Sequence, residues 1–158
     1  MAPPRYLLTF RLISGLRFSK VRAVGFLEGH PEMDAASAYA GFGVNERQTM
    51  NRRIEHWALP NDKPKKWFHG FPNDRICKEC FVFKLGDHRL YGFLCNPLPK
   101  SDSRFRLCVL VIYAEKHQWE TEPAIKRKIE QWRTHAAVKD AIAYTYKDDP
   151  EGGKTWTN

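Results

Sequence analysis

The chain has 158 residues, of which 42% are hydrophobic and 28% charged, and its 26 Lys and Arg residues exceed its 18 Asp and Glu residues to give a net charge of +8. This length and composition fit one globular domain, exclude intrinsic disorder for most of the chain and favour a polyanionic partner such as nucleic acid or an acidic protein. The longest apolar runs are under half of the roughly 20 residues that span a bilayer, and the N-terminus has no signal-peptide core, so we expect a soluble, cytoplasmic protein without a membrane partner.

The N-terminal part of the chain carries weak signals. Residues 5–12 form an apolar run rich in strand formers and predict a first strand. In the segment 21–27, apolar residues recur at intervals of about three residues, which predicts one short helix. Residues 29–44 predict a loop, because turn formers open the segment and mostly small residues follow.

An amphipathic helix follows. Asn45 is the predicted N-cap, Glu46 is an acidic residue in the first turn, and Pro60 ends the helix. The apolar stripe at spacings of i, i+4 and i+7, which we expect to be buried, consists of Met50, Ile54 and Trp57.

A tight β-hairpin is predicted in the middle of the chain. The strand-like runs 80–85 and 88–95 are separated by only two residues, Gly86 and Asp87, the loop length of a tight hairpin turn. This loop places Lys84 directly opposite Arg89, and directly opposed residues share a face. One face is apolar and predicted to be core. The other face, predicted to lie outside the core, carries Val82, Lys84, Arg89 and Tyr91.

The C-terminal part predicts a central strand followed by helices. Residues 105–113 are a nearly continuous apolar run, and residues 121–123 mark the start of a helix. The stripe that this helix is expected to bury consists of Ile125, Ile129, Trp132 and Ala136. A weaker helical pattern runs to about Tyr146. We therefore expect one domain over residues 1–147 and a flexible tail over 148–158.

The opposition of Lys84 and Arg89 is the most informative pattern. Like charges directly across a hairpin repel, so the pair fits either a phosphate site or two side chains that splay into water. Lys116 and His117 follow the central strand where it leaves the core, and histidine is the residue type suited to proton transfer near neutral pH. Trp119 fits either stacking on a base or packing against the next helix.

The four cysteines favour a structural role. Cys77 and Cys80 form a CxxC pair, but Cys95 and Cys108 form no second pair, so the spacing of a zinc ribbon is incomplete. Three of the four fall inside predicted strands, which favours buried free cysteines that pack as small hydrophobic residues. A structural zinc at Cys77 and Cys80 is the alternative. We expect no metal and no cofactor.

The order of these segments resembles a known family. A predicted strand and helices are followed by three segments, KWFHGFPNDRICKECFVFKLGDHRLYGF, RFRLCVLVIYAEKHQWETEP and IKRKIEQW. Over about residues 21–133, this order of segments resembles the RelE/HigB superfamily of bacterial toxins, particularly its phage-derived, host-killing branch. The resemblance implies an α+β fold, with a small antiparallel sheet of about four strands and helices packed on one face. It also implies a type II toxin, a ribosome-dependent and metal-independent mRNA endoribonuclease, with the ribosome, mRNA and a cognate antitoxin as partners.

The resemblance also assigns site residues. Lys84 matches a basic position before the hairpin, Arg89 the arginine after it, and Lys116 the basic position after the central strand; His117 is our own addition. Arg89 and Lys84 would hold the phosphate, and Lys116 or His117 would transfer the proton. The residues expected to bind nucleic acid are Lys65, Lys66, Tyr91, Arg104, Arg106 and Trp119. The family's C-terminal tyrosine or histidine has no clear equivalent. The alternative is therefore a module of the same fold that binds RNA, DNA or an acidic protein and breaks no bond.

Overall fold

A computed structural model of the chain describes residues 7–59, 66–116 and 122–146. The strands are β1 (Thr9–Leu12), β2 (Arg22–Glu28), β3 (Phe68–Gly70), β4 (Cys80–Leu85), β5 (His88–Cys95) and β6 (Arg106–Glu115). The helices are α1 (Ala35–Ala40), α2 (Val44–Ala58), α3 (Glu122–Arg133) and α4 (Ala136–Tyr146).

The strands form one six-stranded sheet in the order β1-β2-β6-β5-β4-β3. β2 and β6 run parallel, and every other neighbouring pair is antiparallel. The sheet is therefore mixed and larger than expected, and the prediction of a small antiparallel sheet of about four strands is wrong. The parallel pair is possible because α1 and α2, with the hairpin strands after them, provide the long connection that parallel neighbours need.

Two predictions in the N-terminal part are also wrong. Residues 22–27 belong to strand β2 rather than to a helix. The five central residues of this strand, 23–27, are all buried between the neighbouring strands and two helical layers. A strand buried on both faces has a continuous apolar run, whose spacing also fits a short helix. The segment 29–44 is not all loop, since it contains the six-residue helix α1.

Helices cover both faces of the sheet, which corrects the expectation of helices on one face. One core cluster joins the sheet to Ile125 and Ile129 of α3 and to Val138 and Ile142 of α4. The opposite cluster joins the sheet to α1 and to the stripe Met50, Ile54 and Trp57 of α2, which is buried as predicted.

The hairpin has the predicted register, with Lys84 opposite Arg89, but its second face is not outside the core. Val82 is 1% exposed and Tyr91 5% exposed, because α3 and α4 cover the face that carries them. Helix α2 begins two residues earlier than predicted: Gly43, rather than Asn45, is its N-cap, and Glu46 accepts a hydrogen bond from the Gly43 backbone N–H at 3.3 Å. Within the described ranges, the structure has no helix of the length and apolar character needed to span a bilayer.

Candidate nucleic-acid interface

The candidate site lies at the turn between β4 and β5. Gly86 has a φ of +57°, a left-handed conformation that suits glycine, and a Cβ at this position would meet nothing within 4 Å. The tight turn fixes the pairing of Lys84 with Arg89 on the face covered by α3. Two cations therefore lie side by side because the loop has only two residues.

Arg89 is held by the backbone of the turn. Its Nη1 donates to the carbonyl oxygens of Gly86 at 2.6 Å and His88 at 2.9 Å. Carbonyl acceptors orient the guanidinium without neutralising it, and its remaining donors stay available to a second acceptor. The side chain is half-buried, so the position of its charge is restricted.

Lys84 is the second cation of the site. Its backbone N–H donates to the Trp67 carbonyl at 2.8 Å, and its carbonyl accepts from Arg53 Nη1 at 2.7 Å, which fixes the main chain. Burial is the largest cause that lowers the pKa of the Lys84 ammonium. The charge of Arg89 lowers this pKa further, the charge of Glu122 raises it in part, and the charge of Lys116 lowers it again. The positive charge on Lys84 is therefore less favourable here than in water, even with Glu122 nearby.

Lys116 completes a group of three basic side chains. Its backbone N–H donates to the Asp87 carbonyl at 2.8 Å, which ties the end of β6 to the hairpin turn. Among the residues that the structure describes, no carboxylate oxygen lies within 4.0 Å, the limit for an ion pair, of a side-chain nitrogen of Lys84, Arg89 or Lys116. We call these three residues the cation cluster. Its arrangement is suited to an anion from outside the chain.

Acidic side chains lie next to the cation cluster, on the side of α3. The Tyr91 hydroxyl donates to Glu122 Oε2 at 3.1 Å, and Lys126 Nζ lies 3.3 Å from Glu122 Oε1 and 3.0 Å from Asp74 Oδ1. Burial and the neighbouring Glu122 raise the pKa of the Tyr91 hydroxyl well above its ordinary value. The ring of Tyr91 is buried and leaves little surface on which a base could stack.

The other predicted site residues are not all near the cluster. Arg104 and Arg106 lie at the opposite end of β6, about 30 Å away at roughly 3.3 Å per strand residue, and Arg106 donates to the carbonyls of Ser103 and Phe105. Lys66 is exposed, two residues before β3. Lys65, His117 and Trp119 lie outside the described residues.

Sequence reasoning missed a hydrogen-bonded chain on the opposite face of the same hairpin. His88 Nδ1 lies 2.6 Å from the Tyr113 hydroxyl, and His88 Nε2 lies 2.7 Å from Glu46 Oε2. Hydrogen bonding to His88 is the largest cause that lowers the pKa of Glu46. His88 and Glu46 line an open cleft of about 520 Å³ with Gly86, Asp87 and Glu115. The only signal in the sequence was the position of His88 directly after the turn.

The structure confirms burial for two of the three cysteines in predicted strands, Cys80 and Cys108. All four are free thiols; Cys77, Cys80 and Cys108 are buried and Cys95 is half-buried. Within residues 7–59, 66–116 and 122–146, no group of three or more His, Cys, Asp or Glu side chains is placed to bind a metal ion.

Comparison with known proteins finds no match: no family model, curated protein or solved structure is significantly similar to this chain.

Proposed function

We propose that this chain binds RNA through the phosphate backbone, at the cation cluster of Lys84, Arg89 and Lys116. The observation that carries the proposal is that three basic side chains converge at the end of the hairpin with no carboxylate at ion-pair distance among the described residues. A phosphodiester would neutralise this charge and accept the free donors of Arg89. The net charge of +8 would attract the strand from a distance.

The direct test is the binding of a fluorescently labelled single-stranded RNA oligonucleotide, measured by anisotropy at fixed salt. Lys84→Met and Arg89→Met each remove one charge and keep a side chain of similar length. Each should weaken binding roughly 10- to 100-fold, the effect of one lost charge-assisted hydrogen bond. The matched control is Lys139→Met, because Lys139 is an exposed basic residue of α4, away from the hairpin.

The control variant should bind RNA within twofold of the wild type. Equal losses in all three variants would mean that the total charge, rather than the cluster, binds RNA, and would contradict the proposal. The salt dependence gives a second readout, since loss of a phosphate contact lowers the slope of log affinity against log salt by about one. Circular dichroism on each variant checks that the fold is kept.

Cleavage of the bound strand is a second candidate function, favoured by the position of Lys84 directly opposite Arg89 and by the lowered pKa of Lys84. A larger neutral fraction would let Lys84 accept the proton of the ribose 2′-OH as its oxygen attacks phosphorus. Arg89 would stabilise the charge that develops on the phosphoryl oxygens, and the Lys116 ammonium would give a proton to the departing 5′-oxygen. The products would be a 2′,3′-cyclic phosphate and a free 5′-OH, and no metal would take part.

A ribosome-dependent toxin is the specific form of this second candidate. The test is a translation reaction in which message ends are mapped with and without ribosomes. Cleavage with cyclic phosphate ends that falls at least 100-fold in Arg89→Met, but not in Lys139→Met, supports it. Intact messages, together with RNA binding that depends on the cation cluster, would leave a binding protein that breaks no bond.

A further inference from the structure

The CxxC pair before and at the start of β4 takes no part in the proposed function. Its two residues are joined by a turn in which the Cys80 backbone N–H donates to the Cys77 carbonyl at 3.3 Å. The ends of such a four-residue turn have Cα atoms less than about 7 Å apart, and a disulfide spans Cα separations of roughly 4.4–6.8 Å. The turn therefore places both cysteines within reach of a disulfide without a change of backbone path.

The two cysteine side chains also lie in the same part of the core. Both residues are 1% exposed and belong to the core cluster beneath α3 and α4. Hydrogen bonding with Cys77 is the largest cause that raises the pKa of the Cys80 thiol, which agrees with the placement of both residues in one buried cluster. Of the other two cysteines, Cys108 belongs to the core cluster on the opposite face of the sheet, and Cys95 packs at the edge of the cluster that holds the pair.

An ion pair of α3 lies on the side of the sheet that carries the first cysteine. Glu130 of α3 is bound by Arg133 through Nε at 2.6 Å and Nη2 at 2.8 Å. Its pKa is lowered chiefly by this arginine and, to a smaller extent, by hydrogen bonding with the Cys77 thiol. The Arg133 guanidinium that holds Glu130 also interacts with Cys77, and a cation beside a thiol favours its thiolate, the nucleophile of disulfide exchange.

The surface around the pair suits an anionic co-reactant. Arg75 and Lys78 flank Cys77 in the chain and are exposed. The loop before β4 is held by Asp74, whose Oδ2 accepts the Cys77 N–H at 2.8 Å. Opening this loop would expose Cys77 between two basic side chains, which favour an anionic peptide thiol or its disulfide.

We propose that Cys77 and Cys80 form a reversible intramolecular disulfide by exchange with a low-molecular-weight disulfide of the glutathione type. The Cys77 thiolate attacks one sulfur of glutathione disulfide, whose S–S bond breaks and releases one glutathione thiolate, which takes up the proton. Cys80 then loses its proton and attacks the Cys77 sulfur of the mixed disulfide, which releases the second glutathione. Two protein thiols are oxidised, and one glutathione disulfide is reduced to two glutathione thiols.

The test is equilibration of the folded full chain in glutathione mixtures with a rising share of the disulfide form, followed by acid quenching, alkylation of free thiols and mass spectrometry. We expect two thiols to be lost together and to return with excess reduced glutathione. Trypsin cuts after Lys78, between the two cysteines, so the disulfide would appear as the linked peptides ICK and ECFVFK. Cys95 and Cys108 should stay alkylatable after unfolding.

Two variants sharpen the result. Cys80→Ser should stop at a mixed disulfide of glutathione with Cys77, whereas Cys95→Ser should form the internal bond as the wild type does. Four free thiols in the folded protein at every glutathione ratio, a bond between other cysteines, or pairing only after unfolding in urea would overturn the proposal. If Cys80→Ser does not fold, the peptide map of the wild type decides the question alone.

Discussion

Asp74 shows how one side chain connects a loop to a helix. Its Oδ2 accepts the backbone N–H groups of Ile76 at 2.9 Å and Cys77 at 2.8 Å, and its Oδ1 accepts from Lys126 at 3.0 Å. Lys126 is only 8% exposed and lies 4.0 Å from the centre of the Phe71 ring. The hydrogen bond from Cys77 is the largest cause that lowers the pKa of Asp74, followed by the bond from Lys126.

The lowered pKa predicts a pH-dependent effect of Asp74→Asn. A carboxylate whose pKa is lower in the folded state stabilises the fold fully above its unfolded pKa and loses this contribution as the pH falls through the folded value. Asp74→Asn should therefore lower the urea midpoint at pH 7, and its deficit relative to the wild type should shrink toward pH 3. Asp140→Asn, at an exposed position of α4, is the control and should change little. A deficit that stays constant across this pH range would contradict the assigned cause.

Single residues of the site were predictable only where local geometry places them. The opposition of Lys84 and Arg89 follows from a loop of two residues, so the sequence predicts it and the structure confirms it. The chain from Glu46 through His88 to Tyr113 joins residues 42 and 25 positions apart. No local pattern encodes such separations, because they depend on how α2 packs against the sheet.

At the scale of elements, the pairing of β5 with β6 contains a close approach of two backbones. The register shifts between Tyr91 and Gly92, where a β-bulge lies, and a Cβ on Gly92 would come within 2.0 Å of the Val109 carbonyl oxygen. Gly92 is therefore required by the approach of β6 and not by its own backbone angle.

Gly92→Ala should consequently destabilise the fold by roughly 1–3 kcal/mol or more, because the clash is with main-chain atoms that cannot move aside cheaply. The matched control is Gly70→Ala in β3, where the nearest atom to an added Cβ is Phe81 Cδ2 at 3.5 Å, an ordinary contact. The control should stay within about 0.5 kcal/mol of the wild type in chemical denaturation. Equal losses in the two variants would show that the approach of β6 is not the reason for Gly92.

Elements were predictable where their period was clear. The stripes of α2 and α3 repeat at helical spacing over several turns, and Met50, Ile54, Ile125 and Ile129 are buried as expected. Trp132 is only half-buried. Helix α3 ends at Arg133, so Ala136 begins the next helix instead of extending the predicted stripe. Strand β2 was misread because seven residues are too few to separate a buried strand from a helical turn.

At the scale of the whole molecule, the sheet is the shared middle layer of two cores. β6 contributes Leu107, Val109 and Val111 to the core beneath α3 and α4, and Cys108 and Leu110 to the core beneath α1 and α2. Ile129 and Ile54, one in each core, are both fully buried. A strand that serves both cores should couple the layers into one cooperative unit.

Ile54→Ala and Ile129→Ala test this coupling from opposite faces. Each should lower the free energy of unfolding by about 2–5 kcal/mol within a single transition, and the double variant should show the sum to within about 0.5 kcal/mol, because the two sites share no contact. Gln131→Ala, at an exposed position of α3, should change little. Two separate transitions, or no effect of Ile129→Ala, would contradict a core on each face.

The sequence by itself determined the features that depend on neighbours along the chain: the hairpin, its register, the two opposed cations, the amphipathic stripes and the burial of most cysteines. Only the tertiary structure decided the parallel pairing of β2 with β6, the helices on both faces, the burial of Tyr91 and the hydrogen-bonded chain at His88. The physical reason is range. Loop length and side-chain period act over a few residues, whereas the second helical layer and the partner of β2 depend on which distant apolar surfaces exclude water together.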